Sequence, residues 1–68
     1  GDKIFQRDVD ALRMFVYITY RWGLYYEQRG MFKDALRNFS SALELDPLNP
    51  ELQVRVETLK NRIQLAKN

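Results

Sequence analysis

The fold class is decided by residues 21–47, which read RWGLYYEQRGMFKDALRNFSSALELDP. In residues 31–45 the apolar side chains recur at steps of three and four, the spacing that places them on one face of an α-helix. This stripe consists of Phe32, Ala35, Leu36, Phe39, Ala42 and Leu43. Gly30 can adopt the positive φ angle that ends a helix, and Pro47 cannot continue one. The stretch therefore predicts an amphipathic helix over residues 31–45 that follows directly on another helix.

Upstream of this helix, residues 2–22 contain neither Gly nor Pro. They predict one helix over residues 3–29, with Asp2 as its cap and with a break near Asp8 or Asp10 as the alternative. Residues 15–20 are β-branched or aromatic at every position, which favours a strand by propensity alone. The wider window keeps helical spacing through Phe5, Val9, Leu12, Phe15, Val16, Thr19, Trp22 and Tyr26. Because packing overrides propensity in a buried helix, we expect helix throughout.

Downstream, the third segment has the clearest helix start. Asn49 is a good N-cap, Pro50 suits the first helical position, and Glu51 favours the positive end of the helix dipole. The apolar stripe that follows is Leu52, Val56, Leu59, Ile63 and Ala66, with Val54 and Leu65 off it. Three helices joined by short loops, with no candidate strand pair, predict an all-α antiparallel helical hairpin with a long N-terminal helix and a C-terminal capping helix.

Composition excludes most catalytic chemistry. The chain has 68 residues, enough for one small domain over residues 1–68, and it contains no Cys and no His. It therefore lacks disulfides, thiolate zinc ligands and the commonest general base. Its glycines, Gly1, Gly23 and Gly30, are too scattered for a phosphate-binding loop. We predict a protein that is not an enzyme and needs no cofactor and no metal.

The charge pattern disfavours two classes of partner. The net charge is +2, from 11 Lys and Arg against 9 Asp and Glu, and the signs alternate along the chain. Such alternation is typical of a solvated helix surface, whereas nucleic-acid-binding proteins carry denser basic clusters. The longest apolar-looking stretch, residues 14–20, is far shorter than the ~20 residues of a membrane span, and no secretory leader is recognisable. We expect no membrane partner and an intracellular, cytoplasmic location, with the nucleus as the alternative.

Residues 16–49 resemble one tetratricopeptide repeat, a pattern of 34 residues that forms a helical hairpin. The matching positions are Trp22, Gly23, Tyr26, Ala35, Phe39, Ala42 and Pro47. The resemblance implies that the small Gly23 and Ala35 let the paired helices approach, while Tyr26 and Phe39 fill the space beside them. Thr19 departs from the pattern, since the family often has Trp there. Residues 50–68 resemble the solvating helix that closes such arrays.

The resemblance also implies a binding surface, because the first helix of each repeat lines a peptide groove in this family. Carried over by position, the partner-binding residues are Tyr17, Tyr20, Arg21, Leu24, Glu27 and Gln28. Tyrosine and arginine are enriched at binding hot spots, and Arg21 is available for a carboxylate of the peptide. The alternative is that these aromatic side chains pack on the upstream helix or on a second copy of the chain.

A single repeat leaves apolar surface uncovered, since ~3 repeats are normally needed for a stable array. Upstream of the repeat, Phe5, Val9 and Leu12 have little in the same chain to pack on. They predict either a place in a larger array or, as we prefer, self-association into a homo-oligomer. The predicted function is a protein–protein interaction module, a scaffold or adaptor that binds a partner peptide or helix. The first alternative is a purely structural homo-oligomerisation domain, and the second, less favoured, is nucleic-acid binding.

Overall fold

The chain forms three helices in the computed structural model, which describes the backbone of residues 2–66 and the side chains of residues 9–66. The helices are α1 (Asp2–Gln28), α2 (Phe32–Leu45) and α3 (Pro50–Ala66). The part of the chain described here contains no strand, so the all-α fold class is confirmed. α1 is unbroken at Asp8 and Asp10, and the strand-like residues 15–20 are helical throughout, as predicted.

The turn between α1 and α2 depends on Gly30, which has a φ of 77°. Its N–H donates a hydrogen bond to the carbonyl of Glu27 at 3.1 Å, and the N–H of Met31 donates to the carbonyl of Tyr26 at 2.9 Å. These bonds occupy carbonyls that the end of α1 would otherwise leave without partners. Because an L side chain is strained at this φ, glycine suits the turn, and the prediction made for Gly30 is confirmed.

The turn between α2 and α3 is held by the side chain of Asn49. Its Oδ1 accepts hydrogen bonds from the backbone N–H groups of Glu51 at 3.0 Å and Leu52 at 3.2 Å. Its Nδ2 donates to Oδ2 of Asp46 at 3.0 Å. Asn49 therefore caps α3, as predicted, and also links that cap to the residue that follows α2.

The core lies between α2 and its two neighbours. Its fully or nearly fully buried apolar side chains are Ala35, Phe39, Ala42, Leu52, Val56 and Leu59. α1 contributes the half-buried Val16, Tyr20, Leu24 and Tyr26, which pack against this cluster. At Gly23 the helices come so close that an added Cβ would lie 2.6 Å from Cε1 of Phe39. The close approach predicted for Gly23 is confirmed, and so is the apolar stripe of α2. In α3, Leu52, Val56 and Leu59 are buried as predicted, whereas Ile63 is half-buried and Ala66, in the last turn, is exposed.

The stripe predicted for α1 needs correction. Val16 and Thr19 face the core, and the Thr19 hydroxyl is satisfied by donating to the carbonyl of Phe15 at 2.7 Å. Phe15 and Trp22, placed in the same stripe by their spacing, are about half exposed. The reason is geometric: successive helical residues are ~100° apart, so these two side chains point well away from Gly23, where α2 packs.

α1 also extends beyond the helix that covers it. Its 27 residues span ~40 Å, whereas the 14 residues of α2 span only ~21 Å. Leu45, the last residue of α2, lies beside Leu12 and Phe15 in a shallow depression. The turns of α1 that precede Leu12 therefore run past the end of α2, and the molecule is elongated, 54 × 21 × 13 Å.

Candidate binding cleft

A cleft of about 680 Å³ opens where α1 runs past the end of α2. One wall is the N-terminal half of α1, and the other is formed by the end of α2, the following loop and the start of α3. The apolar residues that line it are Val9, Leu12, Val16, Leu45 and Leu52. The polar residues are Arg13, Tyr17, Tyr20, Asp46, Asn49 and Glu51. The cleft is thus mainly aliphatic inside, with charges of both signs around it.

The base of the cleft continues into the core. Leu52 is 1% exposed and belongs to the central cluster, and Val16 packs against that cluster. Leu12 and Leu45 stand at the opening and are about half exposed. A rigid apolar base with exposed aliphatic side chains at its mouth can take up an apolar side chain without unfolding any element.

Tyr20 forms the inner aromatic wall of the cleft. Its ring packs against the ring of Phe39 with 5.7 Å between centroids, and the guanidinium of Arg55 lies 5.4 Å from its centroid. Burial raises the pKa of the Tyr20 phenol above its usual value of 10.0, and so do the hydrogen bond and the negative charge of Glu51; the positive charge of Arg55 opposes them. Tyr20 is therefore a neutral phenol held in place from three sides.

The charged residues around the cleft are arranged with opposite signs on its two walls. Arg13 projects from α1, whereas Asp46 and Glu51 belong to the loop and to the first turn of α3. Tyr17, which is 61% exposed, stands beside Arg13 on α1. The two walls therefore carry opposite charges, an arrangement that complements a ligand with a negative group on the α1 side and a positive group on the other.

The six predicted partner-binding residues do not share one surface. Tyr17 and Tyr20 line the cleft, together with Val9 and Leu12 from the predicted self-association set. Leu24 packs against the core. Arg21 lies on the outer side of α1, near Ile18, Trp22 and Tyr25, and Gln28 is exposed at the end of the helix. Phe5, the third predicted self-association residue, lies outside the residues whose side chains the structure describes.

Glu27, the remaining predicted site residue, is paired within the chain. Its Oε1 accepts a hydrogen bond from Nη1 of Arg55 at 3.1 Å, which joins α1 to α3. The Arg55 guanidinium also lies over the rings of Tyr20 and Phe39, at 5.4 and 5.6 Å from their centroids. An ion pair whose cation is stacked on two core rings ties the outer helices together across α2.

Sequence reasoning missed a second exposed surface, which runs along α1 beside the face that packs on α2 and borders Leu45 of α2 at Phe15. Phe15, Ile18, Trp22 and Tyr25 lie along it, each 44–53% exposed. The rings of Trp22 and Tyr25 meet edge to face at 5.6 Å, and the Arg29 guanidinium lies 4.6 Å from the Tyr25 centroid. The signal that could have revealed this surface is the spacing 15, 18, 22 and 25, a separate helical stripe beside the one that packs on α2.

Comparison of the chain with family models, with curated proteins and with solved structures found no match. Among the residues that the structure describes, no helix is both long and apolar enough to cross a membrane. Within the same residues, no group of three or more His, Cys, Asp or Glu side chains is placed to hold a metal ion.

Proposed function

We propose that this chain is a non-catalytic protein–protein interaction module, a scaffold or adaptor that binds a short peptide or helix of a partner protein in the cleft beside α1. The observation that carries the proposal is the open, apolar cleft whose base is part of the core and whose walls carry opposite charges. Its volume lies in the range of ~300–1,000 Å³ that is usual for small binding sites. A space of that size accepts one or two side chains of a peptide.

The residues of the cleft define the ligand. Leu12, Val16 and Leu45 favour a branched aliphatic or aromatic anchor. Arg13 favours a carboxylate of the peptide on the α1 side, and Asp46 with Glu51 favours a basic side chain on the other. We therefore propose a peptide with one apolar anchor flanked by opposite charges.

The resemblance to a tetratricopeptide repeat supports the same proposal, because the first helix of such a repeat binds peptides. Tyr17 and Tyr20 line the cleft, and the resemblance also places both of them in the peptide groove. Arg21 lies outside the cleft, so we assign the carboxylate-binding role to Arg13 instead. The chain has no cysteine for the disulfides that small extracellular domains commonly need, which favours an intracellular, cytoplasmic location.

Homo-oligomerisation is the second candidate function, and the exposed apolar surface of α1 favours it. Val9 and Leu12, predicted to mediate self-association, line the cleft and are not fully covered by the rest of the chain. Under this alternative the occupant of the cleft is an apolar segment of another copy.

Selection of short random peptides from a display library against the wild-type chain tests the proposed function. We expect selected peptides to share one apolar anchor, and their affinity, measured by fluorescence polarisation, to fall about tenfold or more in Leu12→Asp and Tyr17→Ala. Val54→Asp is the matched control, because Val54 is an exposed apolar residue of α3 that does not line this cleft. Failure to select any peptide, or selected peptides that bind all variants equally, would contradict the proposal.

A further inference from the structure

The outer side of α1 carries a regular apolar stripe. We call Phe15, Ile18, Trp22 and Tyr25 the outer stripe. These residues follow one another at steps of three, four and three, and each is about half exposed. The stripe lies roughly opposite the cleft, since Val16 and Gly23, which face α2, are on the other side of the helix. None of its four side chains belongs to the buried core cluster, and Phe15 borders Leu45 of α2 in a shallow depression.

This spacing is the one that two packed helices require. When apolar residues alternate at steps of three and four, each side chain inserts between four residues of the facing helix. Ala11 lies four residues before Phe15, so the apolar pattern runs over residues 11–25, and Arg29 follows it just beyond the end of α1. That length is ~21 Å of helix, about four turns. A stripe this long and regular fits a second helix better than it fits a small ligand.

The exposed area reaches the lower limit for a specific interface. A fully buried aromatic side chain contributes ~150–250 Å², and the outer stripe with its neighbour Met14 is 44–65% exposed, so these five residues offer at most about 500 Å² per chain. Two copies together would bury about 1,000 Å², which is the least that a specific interface normally buries. A patch of this size is comparable with the largest apolar patch of a typical monomer, which is often a functional surface.

We propose that the occupant of the outer stripe is the outer stripe of a second copy, packed antiparallel about a two-fold axis. In that orientation Trp22 faces the smaller Ile18 of the other copy, and Arg29 lies beside the other copy's Ala11. A parallel pair would instead place Trp22 beside Trp22 and the charged Arg29 beside Arg29. The interior of each cleft, lined by Val16, Tyr20 and Leu52, lies outside this interface, so we expect the dimer to bind peptide as the monomer does.

Sedimentation equilibrium from micromolar to millimolar concentration tests the dimer. We expect the wild-type mass to rise from 8.2 kDa towards twice that value. Ile18→Glu places a charge in the middle of the stripe and should stay at 8.2 kDa throughout, with unchanged helicity, because Ile18 is half exposed and lies outside the buried core cluster. Val54→Glu is the matched control, a β-branched exposed residue of α3, and should associate like the wild type.

The fluorescence of Trp22, the single tryptophan of the chain, gives a second readout at the stripe itself. We expect its emission to shift to shorter wavelength, and acrylamide quenching to weaken, as the wild type and Val54→Glu are concentrated. Ile18→Glu should show neither change. A wild type that stays monomeric at millimolar concentration would overturn the proposal. So would a dimer that survives Ile18→Glu but is lost in Leu12→Asp, since self-association would then use the residues lining the cleft.

Cross-linking tests the orientation, because the natural chain has no cysteine. Mixed chains carrying Ala11→Cys or Arg29→Cys should form a disulfide mainly between the two different chains when they are oxidised, as the antiparallel pair brings these positions together. Disulfides formed mainly between identical chains would overturn the antiparallel arrangement. Peptide affinity measured on Ile18→Glu separates the two proposals, since the cleft of the monomer should bind as the wild type does.

Discussion

Gly23 matters to stability because its missing side chain makes room for a ring. An added Cβ would lie 2.6–2.8 Å from three ring atoms of Phe39, which is fully buried, so the ring or the helices must shift. We therefore expect Gly23→Ala to lower the free energy of unfolding by about 1–3 kcal/mol, although alanine is the better helix former. Urea unfolding followed by circular dichroism measures this. Ser41→Ala, at an exposed position of α2, is the control, and its free energy of unfolding should change little. A free energy of unfolding that is unchanged in Gly23→Ala would contradict the close packing of Gly23 on Phe39.

The Tyr20 phenol links stability to alkaline pH. Its pKa is raised in the folded chain, mainly by burial and then by Glu51, so the folded state favours the neutral phenol. A raised pKa contributes stability that is complete below the unfolded value of 10.0 and is lost as pH rises through the folded value. We expect the free energy of unfolding to fall more steeply above pH ~10 in the wild type than in Tyr20→Phe. Parallel curves for the two chains would contradict this coupling.

The roles of some residues could be predicted from the sequence alone, and those of others could not. The buried residues of α2 and α3 could be identified from their spacing, because each helix has one apolar face. The roles of Leu24 and Glu27 could not, since they depend on where α3 lies: Glu27 pairs with Arg55, which is 28 positions away along the chain. From its position in the repeat pattern, Glu27 was predicted to bind a partner peptide. In the folded chain its carboxylate instead forms an ion pair with Arg55.

Each helix end is set by a small number of local contacts, and the start of α3 offers the sharpest test. Asn49 accepts two backbone hydrogen bonds there and also binds Asp46. We expect Asn49→Ala to cost about 1 kcal/mol of stability, while Asn49→Ser, which keeps a capping oxygen, should lose clearly less. Urea unfolding of the three chains measures the difference. Equal losses in the two variants would mean that the cap oxygen does not stabilise α3.

The helices themselves were predictable and the orientation of α1 was not. Gly30, Pro47 and Asn49 mark the boundaries by backbone chemistry that does not depend on tertiary structure. In α1, apolar residues lie on every side between residues 12 and 26, so periodicity alone does not select the face that packs. The position of α2 selects it, through the close approach at Gly23, and leaves the outer stripe exposed.

In the whole molecule, α1 carries the two surfaces proposed to bind partners, the cleft and the outer stripe, and the proposed dimer therefore presents two clefts. Two linked sites bind a surface coated with peptide more tightly than one site does, by ~10²–10⁴ when both can engage. We expect Ile18→Glu to keep the wild-type affinity for a soluble selected peptide but to dissociate much faster than the wild type from densely immobilised peptide. Biosensor measurements on both chains at high and low peptide density test this. A wild type that dissociates equally fast at both densities would contradict a dimer with two open clefts.

Hydrogen exchange of the chain with and without a selected peptide locates the binding surface most directly. Because the cleft is formed by the N-terminal half of α1 and by the α2–α3 junction, we expect added protection in residues 9–20 and 45–52. The last turns of α3, residues 60–66, should exchange as they do in the free chain. Protection confined to those last turns, or no change anywhere at saturating peptide, would contradict a protein-binding role for the cleft beside α1.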